Sequence, residues 1–221
     1  MSVEIRVLAD PAEEAARILA DAARAGGAVA LSGGGTPKRA YGRAAELEPD
    51  WSRVEIFFAD DRCVPPDDER SNFRLVREAL GDVGATMHRV EGELQPEEAA
   101  ARYDELVRGR TLDLALLGIG ADGHTASLFP NAPTLDERDR AAVAADPAMD
   151  PFVPRVTLTL PMLNAARLAL FLVTGEEKRE AAARAFASRP SPATPASLVR
   201  AGSTLALLDA AAGSDLQSDA I

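Results

Sequence analysis

Two blocks of this chain concentrate residue types that can move a proton or hold an anion. In L-D-L-A-L-L-G-I-G-A-D-G-H-T-A-S-L-F-P, Leu112 to Pro130, an apolar run suited to a buried strand stops at Gly118. Three glycines, Asp122 and His124 then fall within seven residues, ahead of apolar Leu128 and Phe129. In open α/β sheets ligands bind outside the carboxyl ends of the strands, and glycines there let backbone approach a substrate. His124 is the first candidate for a general base, because an unperturbed imidazole titrates near ~6.5 and can take a proton at neutral pH. Asp122 and Gly123 precede it in the same loop and are candidates for binding the substrate. The other histidine, His88, lies between Met87 and Arg89 on a short expected strand and reads as structural.

The second block is Ser32, Gly33, Gly34, Gly35, Thr36 and Pro37, placed between a strand and a helix. Backbone N–H groups and a helix N-terminus at such a place make a ready anion site, with Thr36 as the expected N-cap and Pro37 as the first helical residue. A plain tight turn also fits, although three consecutive glycines exceed what a turn requires. No Gly-Lys-Ser/Thr follows, so this is not a Walker A loop. Asp60, Asp61 and Arg62 close the apolar run V-E-I-F-F-A; a guanidinium there can hold an oxyanion and a carboxylate can orient an imidazole. A solvated charged turn accounts for them equally well. Arg155, opening a strand, and Lys178, in the first turn of a helix, share that ambiguity. Lys178 is one of only two lysines.

Other chemistries fit less well. Gly118 to Gly123 formally matches the dinucleotide fingerprint G-x-G-x-x-G, but a true fingerprint runs into a helix, whereas here a Pro-rich loop follows. No G-x-S-x-G elbow is present for a serine hydrolase. Two histidines and one cysteine are too few for a typical zinc site.

The elements that must position these residues follow from periodicity and breakers. Val3 to Leu8 alternates as a strand. Pro11 to Ala25 reads as an amphipathic helix capped by Asp10 and ended by Gly26 and Gly27. Further strands are expected at Ala28 to Ser32, Val54 to Ala59, Met87 to Val90, Leu112 to Leu117, Arg155 to Leu160, Leu168 to Val173 and Ser203 to Leu208. Helices are expected after Thr36 to about Leu47, from Ser71 to Leu80, over Pro96 to Arg108, and over Glu176 to Ala187. Asn131 to Pro154 reads as a long excursion over the site, and the tail from Ala210 as frayed. This alternation predicts an α/β fold with a mostly parallel, Rossmann-like open sheet and helices on both faces.

At 221 residues the chain is expected to form one domain, residues 1–221, able to bury roughly 70% of its unfolded surface without a disulfide. Cys63 stands alone and suits a reducing compartment. No signal-peptide pattern opens the chain, and its apolar runs fall short of the ~20 residues of a membrane span, so a soluble cytoplasmic protein is expected. A net charge of −11 argues against nucleic acid or an anionic membrane as partner. A small anionic substrate would need a local positive site set against that field. A monomer is the favoured state.

Taken together, these motifs resemble those of the 6-phosphogluconolactonases in the glucosamine-6-phosphate isomerase/deaminase superfamily. S-G-G-G-T-P at 32–37, D-D-R-C-V-P at 60–65, S-N at 71–72 and G-I-G-A-D-G-H-T-A-S-L-F-P at 118–130 carry the resemblance. R-V-T-L-T at 155–159, V-T-G-E-E-K at 173–178 and P-A-S-L at 195–198 extend it over nearly the whole chain. Two departures are Asp61, where the family usually has Glu, and a last strand without its usual aromatic residue. The resemblance implies the fold of glucosamine-6-phosphate deaminase and hydrolysis of 6-phosphoglucono-1,5-lactone, a small-molecule sugar-phosphate substrate, without cofactor or metal. It also implies that His124 activates water, that Asp60 orients substrate or base, and that Arg62 meets anionic charge. The Ser32 to Thr36 loop, Arg155 and Lys178 would then surround substrate and phosphate. A deaminase or isomerase on the same scaffold is the nearest alternative, and a noncatalytic sugar-phosphate sensor is one from another class.

Overall fold

The computed structural model describes residues 2–187 and 189–219. In chain order the elements are β1 (Glu4–Val7), α1 (Pro11–Ala25), β2 (Gly27–Leu31), α2 (Gly35–Leu47), β3 (Val54–Phe58), β4 (Asp60–Arg62), α3 (Asn72–Leu80) and β5 (Thr86–Met87). They continue with α4 (Pro96–Val107), β6 (Leu114–Leu117), β7 (Ala142–Ala145), β8 (Arg155–Leu158), α5 (Leu160–Asn164), β9 (Leu168–Val173), α6 (Arg179–Phe186) and β10 (Ser203–Leu208). Seven strands form a parallel sheet in the order β1-β10-β9-β6-β2-β3-β5. The expected mostly parallel, Rossmann-like sheet is therefore present.

The central strands are near-continuous apolar runs because both of their faces are covered. Alternate residues separate into two cores: Ala30, Phe57, Leu117 and Phe171 pack with Tyr103 of α4 on one face, while Leu31, Ile56, Phe58 and Leu116 pack with Leu19 of α1 and Tyr41 of α2 on the other. Helix α1 forms where Asp10 accepts a hydrogen bond from the Glu13 N–H at 3.1 Å, Pro11 opens the first turn, and Gly26 ends it at φ 78°. Five of its seven buried residues are alanine, which lets it lie close to the sheet and α2.

Strands β2 and β6 are neighbours, yet the chain builds outward from them in opposite directions, through β3 and β5 on one side and β9 and β10 on the other. Their carboxyl ends thus flank a topological switch point, where a crevice must open. A second, antiparallel sheet, β4-β8-β7, stands beside that crevice and pairs Asp60 with Thr157 and Arg62 with Arg155.

Several boundaries differ from expectation. Helix α2 begins at Gly35 with Gly34 as N-cap, because Thr36 instead shares a hydrogen bond with Thr174 at 2.8 Å. Asp60 to Arg62 is a strand rather than a turn. Residues 131–154 are not wholly an excursion, since they include β7; its alanine-rich A-V-A-A has little strand signature in isolation. Lys178 closes a short 3₁₀ turn, Glu176–Lys178, and is the N-cap of α6 rather than a residue of its first turn. Nor is the tail frayed where it is described: Ala212 is buried and the Gly213 N–H bonds the Asp209 carbonyl at 3.0 Å. Residues 220–221 lie outside the described ones. No helix is long and apolar enough to cross a membrane among the described residues.

Buried Asp104 of α4 ties β7 to the body, accepting from the N–H groups of Ala141 at 2.6 Å and Ala142 at 3.3 Å and pairing with Arg108. Asp104→Ala leaves those donors unsatisfied and should lower stability by about 1–3 kcal/mol in urea unfolding. A midpoint equal to wild type would show that this carboxylate is not what holds β7 in place.

Candidate active site

The carboxyl ends of β2, β3, β6 and β9 deliver their loops to one cleft of about 480 Å³. It is lined by Ser32, Gly33 and Gly34 after β2, Asp60 and Arg62 of β4, Gly118 to Asp122 and His124 after β6, Arg155 of β8, and Lys178 after β9. Asn72, Ala126 and Met149 complete the wall.

The loop after β6 is folded tightly on itself. The Gly120 N–H bonds the His124 carbonyl at 2.9 Å, the Gly123 N–H bonds the Gly120 carbonyl at 2.9 Å, and the Thr125 hydroxyl bonds the Gly118 carbonyl at 2.8 Å. A Cβ on Gly120 would lie 2.1 Å from His124 Nδ1, so only glycine leaves room for the imidazole. Gly123 adopts φ 96°, in the region that favours glycine. Asp122 grips His124 twice, accepting from its backbone N–H at 3.1 Å and from ring Nδ1 at 2.6 Å. Burial works to raise the Asp122 carboxyl, but the bonds and charge of His124 outweigh it and hold Asp122 below its ordinary value. An ionised carboxylate can only accept, so Nδ1 carries a proton, and in the neutral ring Nε2 is then the free acceptor.

Asp60 is buried and accepts from the Ser127 hydroxyl at 2.6 Å and from Asn72 Nδ2 at 3.3 Å. Arg62 donates through Nη1 to Asn72 Oδ1 at 2.7 Å and to the Arg70 carbonyl at 2.8 Å. Arg155 is buried beside Phe129, its Cζ 5.7 Å from the ring centroid, and its Nη2 reaches the carbonyls of Met149 and Pro151 only at 3.4 and 3.3 Å. Both arginines keep a buried Nε without a partner. Burial, and then the charge of Arg62, pull the Arg155 guanidinium below its ordinary value. Two guanidiniums held this close with spare donors form a site for an anion.

Not every expected residue meets there. Gly35 and Thr36 face a neighbouring pocket with Asp10, Thr174 and Asp209. Ser32 lines the cleft, but its hydroxyl is committed to the Leu116 carbonyl at 2.8 Å. His88 is remote, stacked on Phe57 at 4.7 Å and bonded to Glu55 at 2.9 Å. Sequence reasoning missed Asn72, Ser127 and Met149 as site residues; Asn72 and Ser127 lay inside noted motifs, but only the fold shows what they touch. Among the described residues, no group of three or more His, Cys, Asp and Glu side chains gathers as a metal site.

A cleft that gathers two guanidiniums and an oriented imidazole at the switch point of a doubly wound sheet is the architecture of an α/β enzyme. The chain belongs to the glucosamine-6-phosphate isomerase/6-phosphogluconolactonase family, whose model matches residues 4–207. It is 39% identical over 171 residues to a 6-phosphogluconolactonase of Thermotoga maritima, covering 75% of this chain and 77% of that one. It is 37% identical to a 6-phosphogluconolactonase of Nostoc sp., covering 85% and 84% respectively. The structure of a 6-phosphogluconolactonase from Trypanosoma brucei superimposes with a TM-score of 0.86 at 26% identity, covering 97% of this chain and 99% of that one.

Asp61 supplies a test of the electrostatics behind the cleft. Burial raises its carboxyl to about 6, against the hydrogen bonds from the backbone of Asn72, Phe73 and Arg62, and the charge of Asp60 adds to the rise. A folded value above the unfolded one means that its contribution to stability is fully present below the unfolded value and is lost as pH rises through about 6. In Asp61→Asn that loss should vanish, so the stability gap between variant and wild type should change between pH 4 and 7. A gap constant across that range would place the Asp61 carboxyl at its ordinary value.

Proposed function

We propose that this enzyme hydrolyses 6-phospho-D-glucono-1,5-lactone to 6-phospho-D-gluconate in the oxidative pentose phosphate pathway, as a cytoplasmic carboxylic ester hydrolase contained in one domain. The observation that carries the mechanism is the 2.6 Å Asp122–His124 contact at the wall of a cleft that also holds Arg62, Arg155 and Lys178. Asp122 orients the ring, and Nε2 takes a proton from the attacking water as its oxygen adds to the lactone carbonyl. A tetrahedral oxyanion forms at C1, and the bond from C1 to the ring oxygen then breaks. The imidazolium returns its proton to that oxygen, leaving a carboxylic acid that ionises and a free hydroxyl. Asp60 orients the substrate. The Gly33 and Gly34 backbone, Lys178, Arg62 and Arg155 take the 6-phosphate, so that its binding positions the carbonyl. Lys178 suits that role because it has no ion-pair partner among the described residues, unlike most arginines of the chain.

The alternative on this scaffold, aldose–ketose isomerisation with deamination, moves protons between carbons of an opened amino sugar. Lactone clearance above the spontaneous rate, with glucosamine 6-phosphate as the control, separates the two. His124→Asn should lower kcat by ~10² to 10⁴-fold with KM little altered. The wild-type rate should fall on the acid side as the imidazole protonates, and that limb should disappear in the variant. Wild-type kcat with an intact acid limb in a folded variant would remove His124 from the mechanism.

Lys178→Met should weaken use of the phosphorylated lactone far more than that of unphosphorylated glucono-1,5-lactone. Equal losses on the two substrates would contradict a phosphate role. A sensor without catalysis would bind the sugar phosphate and leave the lactone to its spontaneous decay.

A further inference from the structure

Asp60 and Arg62 are two residues apart on β4, so their side chains leave the same face of the strand. Both line the cleft, and they carry opposite charges that could pair. They do not: among the described residues neither Asp60 nor Arg62 forms an ion pair, while Asn72 touches both. Its Oδ1 accepts from Arg62 Nη1 at 2.7 Å, and its Nδ2 donates to the Asp60 carbonyl at 2.9 Å and the Asp60 carboxylate at 3.3 Å. Its backbone N–H is fixed in turn by the Asp61 carboxylate at 2.7 Å. Across the cleft Gly33 makes the space, since a Cβ there would lie 2.0 Å from Asn72 Oδ1.

We propose that Asn72 is a positioning residue that acts as a neutral spacer, holding the Asp60 carboxylate and the Arg62 guanidinium apart so that each keeps its charge for the substrate. A carboxamide is the group for this place: it presents an acceptor to the cation and a donor to the anion and adds no charge of its own. An alkyl group there lets the two close on each other, and the arginine then spends on Asp60 the donors that an incoming anion would use. A carboxylate there captures Arg62 itself and repels Asp60. This rests on the reading of the cleft as an anion site and is independent of the hydrolytic step.

The test is affinity for inorganic phosphate, followed by NMR titration in wild type, Asn72→Ala, Asp60→Asn and the double variant, with lactone turnover measured separately in wild type. Asn72→Ala should weaken phosphate by roughly 10-fold or more, the loss of a charge-assisted contact. Adding Asp60→Asn should restore most of that affinity, because the competing carboxylate is gone. Asn72→Asp, nearly isosteric and so a control for folding, should also lose affinity, and Asp60→Asn should not restore it. Loss in Asn72→Ala that Asp60→Asn fails to rescue means a purely structural role and overturns the proposal, as does unchanged affinity in both Asn72 variants. Failure of the functional reading shows elsewhere, as wild type that does not accelerate lactone hydrolysis.

Discussion

The arrangement of the cleft depends on one buried carboxylate that takes no part in its chemistry. Asp61 accepts from the backbone N–H groups of Arg62 at 2.7 Å, Asn72 at 2.7 Å and Phe73 at 3.0 Å, and from the Ser71 hydroxyl at 3.2 Å. It thereby caps helix α3 from the preceding strand and ties α3 to β4. Asp60, Arg62 and Asn72 all take their places from that joint. Above about 6 the buried charge costs stability, so its value lies in placement rather than in strength. The aspartate reaches these donors directly.

Two tyrosines perform a similar service at the strand ends. Tyr41 Oη donates to the Ser32 carbonyl at 2.6 Å and accepts from its N–H at 3.1 Å, and Tyr103 Oη treats Phe58 in the same way at 2.9 and 2.6 Å. Each phenol satisfies two backbone groups where the parallel ladder is running out, which lets β2 and β3 end inside the protein instead of at the surface. Burial raises both phenols above their ordinary value, so they remain neutral donors and acceptors. The loops that carry Gly33, Gly34 and Asp60 are thus anchored on rigid ends, as a site that must hold its geometry requires.

Much of this was legible from residue pattern, and the boundary of what was not is physical. Apolar runs with caps and glycine stops located the main helices and sheet strands, because those signals are local. His124 and the charged groups of the cleft could be singled out because each sits at a strand end, where the parallel fold must gather them. Gly35 and Thr36 could not be separated from Gly33 and Gly34 in that way: which residues of a glycine loop face the ligand depends on where the helix begins, and that was decided by a bond from Thr36 to Thr174, far along the chain. β7 escaped notice because alanine strands owe their existence to partners, here β8 and the carboxylate of Asp104. Asn72 and Ser127 read as a helix residue and a loop serine until the fold set them against Asp60.

The electrostatics of the cleft invert those of the molecule. A chain of net charge −11 repels an anion at long range, yet within the crevice Arg62 and Arg155 face each other across adjacent strands with buried, unpartnered Nε atoms. Their mutual repulsion and desolvation are unfavourable in the empty protein, as the lowered guanidinium of Arg155 shows. An anion entering between them, as proposed for the substrate, would remove that repulsion and supply the missing acceptors at once. Solvent ions screen the outer field over about 10 Å at ordinary salt, while the buried pair is screened far less. Anion binding in the proposed site would therefore rest on the short-range donors of the cleft and not on the outer field.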